Sequence, residues 1–230
     1  MSGPAPTTRL VLASASPRRR RLLAWLGLPF EVTSVDTPEE LDGPLARDPQ
    51  ALAASLAAEK ALAARATGEY DDALVLTFDT IVVLDGRLLG KPVDVPDAWR
   101  MLRALSGRTH QVVTGVGLMC PEADEPRTFA VKTAVRMREL DDAGIEEWMA
   151  RGEFMGCAGA YNIEGQVAEV TDDECYQNVA GLPLCHLYAA LTGVLPGVRP
   201  PCLASRPDAP IAPCDASLGR ACTLGPRVTR

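Results

Sequence analysis

The run Leu74 to Leu84 constrains this chain more than any other stretch. It is apolar and rich in β-branched residues, it is followed by the turn signal Asp85-Gly86, and it reads as a strand entering a hairpin. One residue breaks the pattern. A carboxylate at Asp79, inside Thr-Phe-Asp-Thr-Ile-Val, is costly to bury unless it binds a metal or accepts strong hydrogen bonds, so Asp79 is the first candidate for chemistry. Strand alternation places its neighbour Thr80 on the opposite face unless a bulge intervenes.

The segments around this strand mix both periodicities. Leu10 to Ala13 reads as a strand, Ser14-Ala-Ser16-Pro17 as a turn, and the spacing of Leu22, Leu23 and Leu26 as a helix. Phe30 to Val35 reads as a strand and Leu52 to Ala66 as an alanine-rich helix. Beyond the hairpin the expected order is a helix near Pro96–Leu105, strands at Thr109–Met119 and Thr128–Arg138, and helices at Asp141–Arg151 and Leu182–Leu195. This alternation without internal repeat predicts one α/β domain over residues 9–194, after a short extension at 1–8, with lobes around a cleft. Residues 195–230 hold seven of the 19 prolines and three of the seven cysteines, and read as an irregular tail with a charge of +3 against a body at −10.

Composition excludes several classes. A net charge of −7 over 230 residues argues against a nucleic-acid-coating surface, so an anionic ligand must be met locally. Seven cysteines, an odd number without a Cys-x-x-Cys pair and with only His110 and His186 beside them, disfavour a disulfide framework and a structural zinc site. No apolar run approaches the roughly 20 residues of a membrane span, and Met1 to Arg9 lacks the character of a signal peptide, so a cytoplasmic protein is expected.

Cation usage points to particular places. The chain has 20 arginines but only three lysines, and two of these, Lys60 in Ala-Glu-Lys-Ala and Lys91 in Gly-Lys-Pro, sit in compact motifs. Ser14-Ala-Ser16-Pro17-Arg18-Arg19 lies between a strand and a helix, where hydroxyls, guanidinium groups and backbone N–H groups make an anion-binding helix start. Gly86 to Pro92 is not a phosphate loop, since its spacing is one residue short and Pro92 replaces the magnesium-binding hydroxyl. Lys91 still reaches toward a phosphate near Asp79. The segment Gly152-Glu153 to Glu164-Gly165 is rich in small residues and flanked by carboxylates, as suits close approach to a ligand.

These motifs, in their order, resemble the Maf family of nucleoside triphosphate pyrophosphatases. The matching pieces are Leu-Ala-Ser-Ala-Ser-Pro-Arg-Arg (12–19), Ala-Glu-Lys-Ala (58–61), Asp-Thr-Ile-Val (79–82), Gly-Lys-Pro (90–92), Leu-Ser-Gly-Arg-Thr-His-Gln-Val (105–112), Ala-Gly-Ala-Tyr (158–161) and Gly-Leu-Pro-Leu (181–184). The resemblance implies an α/β fold similar to the inosine triphosphate pyrophosphatases: a mixed, elongated sheet flanked by helices with a central cleft. It also implies a homodimer that hydrolyses a nucleoside triphosphate to the monophosphate and pyrophosphate with magnesium or manganese, keeping non-canonical nucleotides out of nucleic acid. Carried over by position, Ser14, Arg18 and Arg19 hold the phosphates, Lys60 and Lys91 neutralise charge, Asp79 is the general base, and Glu39 joins Asp79 at the metal.

The resemblance leaves the base open. Cys157 stands where the uridine/thymidine-type enzymes carry a lysine and Glu164 where they carry a glutamine, both as in the 7-methyl-GTP subfamily, whereas Arg18 and Thr80 match the uridine/thymidine type. Thr77-Phe78 also replaces the usual small pair before Asp79. A rival reading is a nucleotide-binding regulator of cell division with little turnover; retention of Asp79, Lys60 and Lys91 together argues against it.

Overall fold

A computed structural model of the chain describes residues 8–171, 173–201 and 213–228. Seven strands form one mixed sheet: β1 (Arg9–Ala13), β2 (Glu31–Thr33), β3 (Ala73–Leu84), β4 (Arg87–Leu89), β5 (Thr109–Met119), β6 (Arg127–Met137) and β7 (Ala168–Glu169). The order is β2-β1-β3-β5-β6-β7; the first three are parallel, the rest antiparallel, and β4 pairs back onto β3. The helices in chain order are α1 (Pro17–Ala24), α2 (Pro49–Ala66), α3 (Val95–Leu105), α4 (Asp142–Ala150), α5 (Tyr176–Val179), α6 (Leu184–Thr192), α7 (Pro213–Leu218) and α8 (Gly225–Val228). The first four start where a side chain can cap them: Ser16, Asp48, Asp94 and Asp141 each accept a backbone N–H of the first turn.

Strand β3 explains both the core and the cleft. Leu74, Leu76, Phe78, Val82 and Leu84 join the main core with Leu22, Leu102, Trp148 and Leu187, while Val75, Ile81 and Val83 pack in smaller clusters that include apolar residues of α2. Each such leucine contributes about 1.5–3 kcal/mol of burial. Two glycines bring α2 close to the sheet. A Cβ on Gly115 would stand 1.9 Å from the Ala53 carbonyl oxygen, and one on Gly117 2.9 Å from that of Ala57, to which Thr77 Oγ1 donates at 2.6 Å.

The edge of β3 away from β5 is covered in two pieces. Strand β1 pairs with it from Ala73 to Leu76, and β4 from Val82 to Leu84. Between them, at residues 77–81, no strand pairs that edge among the described residues. Asp79 and Thr80 do take opposite faces, as alternation requires, yet both line one cleft because the sheet is interrupted beside them.

The elements foreseen from periodicity occur within a few residues of their expected positions. Two short ones, β7 and α5, do not announce themselves in sequence. The four-residue α5 has no side-chain cap and is held from outside: Asn178 Nδ2 donates to the carbonyls of Val112 (3.2 Å) and Val131 (3.0 Å) and to Thr133 Oγ1 (3.1 Å).

The expectation of an irregular tail over 195–230 is corrected in part. It contains α7 and α8, Cys214 is buried against Cys185 of α6, and the Arg199 N–H bonds the Leu26 carbonyl at 2.8 Å. The physical reason is tertiary: helices this short do not persist alone, but apolar contact with α6 offsets the cost of ordering them. Most of the 1–8 extension, and residues 202–212 with Cys202, lie outside the described residues. Among those described, no helix is long and apolar enough to cross a membrane.

Candidate active site

A cleft of about 720 Å³ opens at the interruption in the sheet, a volume typical of small-molecule sites. Its floor is the end of β1. Ser14 continues the parallel ladder through its N–H to the Thr33 carbonyl (2.8 Å), and its Oγ accepts from Ser16 N and from Arg19 Nη1, each at 3.3 Å. Arg19 is the hub: Nε donates to the Gly181 carbonyl at 2.9 Å, Nη2 to Thr80 Oγ1 at 2.9 Å, and its guanidinium lies 5.7 Å from the Phe78 ring centre. Burial presses its pKa down, while the negative charges of Asp79 and Glu39 push it back up. Among the described residues three of its five N–H groups have partners, which leaves two for an anion.

On the α2 side the charged groups form a chain. Lys60 Nζ donates to Asp79 Oδ1 and, at 3.1 Å, to Glu39 Oε1, which also accepts from Lys91 Nζ at 2.8 Å. Asp79 is 3% exposed, whereas the Lys91 side chain is 54% exposed and reaches from the β4 loop into open solvent. Burial raises the Glu39 pKa, but the bond from Lys91 and the charge of Lys60 outweigh it and hold the carboxyl below its ordinary range. Asp79, Lys60, Glu39 and Lys91 are thus brought together.

The donor set fits a divalent cation. Asp79 and Glu39 converge on one ammonium with hard carboxylate oxygens, the pattern by which magnesium takes one or two carboxylates and completes its shell from substrate phosphates and water. Charge agrees with this. The lining holds four cations (Arg18, Arg19, Lys60, Lys91) and four carboxylates (Asp36, Glu39, Asp79, Glu153), so a polyphosphate would bring negative charge that the protein alone leaves unbalanced.

Another wall is built by residues 153–162, where the Gly159 N–H bonds the Gly90 carbonyl at 2.9 Å beside Lys91. Arg18 Nη2 lies 3.2 Å from Cys157 Sγ, and the thiol in turn donates to the Glu153 carbonyl at 3.0 Å. Burial pushes the Cys157 thiol up, only partly opposed by Arg18, which suits a protonated donor rather than a reactive thiolate. Glu164 is not brought into the cleft. Its side chain pairs with Arg21 on α1 and is absent from the lining, while Asn162, two residues earlier, lines the cleft and caps the 163–165 turn. Glu153 and Asn162 line the cleft instead, and only the small residues and flanking carboxylates of 152–165 hinted at this in sequence.

Behind that wall the buried His110 and Tyr161 share a 2.6 Å hydrogen bond. Burial pushes His110 down to about 4, against a smaller upward pull from the backbone at Arg108. The folded protein therefore keeps a neutral ring where an unfolded chain, titrating near 6.5, takes a proton. Stability should fall by roughly 3 kcal/mol as pH drops from about 6.5 to 4. Melting curves across this range should show the fall in the wild type and its loss in His110→Gln, which retains a hydrogen-bonding partner for Tyr161.

Comparison of the sequence with known proteins finds a matching family and relatives. The family described as Maf-like protein matches residues 9–194. A dTTP/UTP pyrophosphatase of Pelotomaculum thermopropionicum is 44% identical over 180 residues, 77% of this chain and 92% of the relative. One of Xanthomonas euvesicatoria is 46% identical over 187 residues, covering 80% and 97%, and one of Moorella thermoacetica is 48% identical over 182, covering 77% and 90%. With the family's motifs converging on one interrupted strand, and with this identity over most of both chains, the chain belongs to the Maf family.

Proposed function

We infer that this chain is a nucleoside triphosphate pyrophosphatase, that dTTP and UTP are its substrates, and that it works with magnesium or manganese. The observation that carries the reading is the Asp79 carboxylate, buried at a gap in the sheet and fixed by Lys60 beside a cationic floor. The names of the relatives support the choice of base. So does the position of Glu164, whose engagement by Arg21 outside the cleft removes half of the likeness to the 7-methyl-GTP type.

The geometry accounts for the reaction. Lys60 holds Asp79 Oδ1, leaving Oδ2 to take the proton of a water that attacks the α-phosphorus. The bond from that phosphorus to the bridging oxygen breaks, and pyrophosphate leaves. Arg19, with two N–H groups to spare, and Ser14 orient the phosphates; Lys91, the most accessible ammonium of the cluster, meets the charge that builds on the leaving group. A divalent cation held by Asp79 and Glu39 would neutralise phosphate charge and polarise the reacting oxygens. The expected homodimer and cytoplasmic location belong to the same proposal, the first checked by light scattering.

The test is pyrophosphate release with magnesium or manganese across UTP, dTTP, CTP, GTP and 7-methyl-GTP. UTP and dTTP should be turned over fastest. A preference for 7-methyl-GTP would return base reading to Cys157 and Glu164, and silence across the panel would favour a nucleotide-binding protein without turnover.

A further inference from the structure

We propose that Thr114, which is buried and does not itself line the cleft, is a positioning residue that aims the Arg19 guanidinium at the phosphates. The proposal rests on the reading of the cleft as a nucleotide site. Its starting point is a closed ring of hydrogen bonds on the Thr80 face of the sheet, away from Asp79 and Lys60. Arg19 donates from Nε to the Gly181 carbonyl and from Nη2 to Thr80 Oγ1, each at 2.9 Å. The Gly181 N–H in turn bonds the Asn178 carbonyl at 2.9 Å, and that oxygen also lies 3.1 Å from Thr114 Oγ1. Thr114 of β5 and Thr80 of β3 are cross-strand partners, and their hydroxyl oxygens, 3.0 Å apart, close the ring.

The hydroxyl protons in this ring run in one direction. A carbonyl oxygen only accepts, so the single proton of the Thr114 hydroxyl goes to Asn178. Thr114 therefore meets Thr80 as an acceptor, and the Thr80 proton goes to Thr114. What Thr80 keeps are lone pairs, one of which takes a proton from Arg19 Nη2. Without an acceptor at position 114 the Thr80 proton has to turn elsewhere, and turned toward the guanidinium it sets donor against donor. Thr114 thus decides whether Thr80 holds Arg19 or opposes it.

The ring is anchored from behind. Asn178 is buried, and its Nδ2 donates to the carbonyls of Val112 and Val131 and to Thr133 Oγ1, which itself donates to the Cys175 carbonyl at 3.2 Å. Two strands and α5 fix the acceptor to which Thr114 points, and Thr114 passes that direction to a side chain on α1. With Nε on Gly181, Nη2 on Thr80 and Nη1 on Ser14, the planar guanidinium keeps, among the described residues, one N–H on each terminal nitrogen for phosphate oxygens. Losing the Thr80 bond lets that pair swing about the bonds that remain.

The test asks whether Thr114 acts through Arg19. Binding of inorganic pyrophosphate and of the α,β-imido analogue of UTP, with magnesium, is measured by calorimetry on the wild type, Thr114→Val, Thr114→Ser, Arg19→Lys and the double variant Thr114→Val with Arg19→Lys. Melting curves establish folding, and pyrophosphate release from UTP is followed in parallel. Thr114→Val keeps the shape and removes the hydroxyl, while the Asn178 carbonyl retains the Gly181 N–H. It should weaken both ligands about fivefold, the worth of one ordinary hydrogen bond. Thr114→Ser, which keeps the hydroxyl, should stay within about twofold of the wild type. Lysine cannot reproduce the fork held by Gly181 and Thr80, so in the Arg19→Lys background Thr114→Val should cost less than about twofold, the non-additivity of a coupled pair. A residue that merely supports the fold would lose the same factor in both backgrounds. That result, or no loss from Thr114→Val alone, overturns the proposal. If Thr114→Val does not fold, Thr114→Cys, a weaker acceptor, takes its place, with a loss between those of Ser and Val that again vanishes beside Arg19→Lys. A wild type that binds neither ligand overturns the reading of the cleft and this proposal with it. Absent turnover with the binding pattern intact overturns the pyrophosphatase reading alone.

Discussion

Asp79→Asn is expected to lower the rate of pyrophosphate release by about 10³-fold, within the range lost when a positioned general base is removed. The substitution keeps the shape of the side chain and removes its charge and basicity. Lys60 retains its 3.1 Å bond to Glu39, so the buried ammonium is not left unpaired, and Ser14, Arg19 and Lys91 are untouched. Affinity for a non-hydrolysable triphosphate should therefore change much less than the rate. Stopped-time release assays with calorimetric binding check both halves. Turnover within a few-fold of the wild type would remove Asp79 from the reaction and leave it as a structural partner of Lys60.

Gly115→Ala should unfold or inactivate the protein although it adds a single methyl group at a residue that does not itself line the cleft. The added Cβ would stand 1.9 Å from the Ala53 carbonyl oxygen and 2.7 Å from the Ala54 nitrogen, both backbone atoms of α2 that no rotamer change can move. Overpacking of this kind costs about 1–3 kcal/mol and sometimes more; at roughly 2–4 °C per kcal/mol for a chain of this size, the melting temperature should drop by about 2–12 °C. Activity should suffer further than stability. Gly115 is the register partner of Asp79, and Lys60 rides on α2, so pushing the helix off the sheet separates the lysine from the carboxylate. Gly43→Ala is the control: nothing lies within 4 Å of a Cβ there, and its φ of −72° suits any residue. If the two variants melt alike, the close approach of α2 is not what holds the site.

The two substitutions touch what was and was not legible in the sequence. Asp79 stood out because a charge inside an apolar strand has few stable explanations, and local patterning alone exposes that. Lys60, Lys91 and the Ser14 to Arg19 turn were legible for a similar reason, being unusual residue types in compact motifs. The close contact at Gly115 was invisible, since a glycine in a strand gives no sign of which helix lies over it.

Most of the order of strands and helices, and the charged motifs that meet at the cleft, were readable along the chain, because periodicity and turn residues act over a few positions and survive in any context. The tertiary structure alone decided which stretch of the β3 edge is left open, by ending β1 at Ala13 and β4 at Leu89 on the same side. It also decided that Glu39 meets Lys60 and Lys91, that Glu164 turns out to Arg21 while Glu153 and Asn162 turn in, and that part of the tail docks as α7 and α8. Each of these joins residues far apart in the chain. Their energy comes from packing and paired charges that exist only once the layers have assembled, so no local pattern records them.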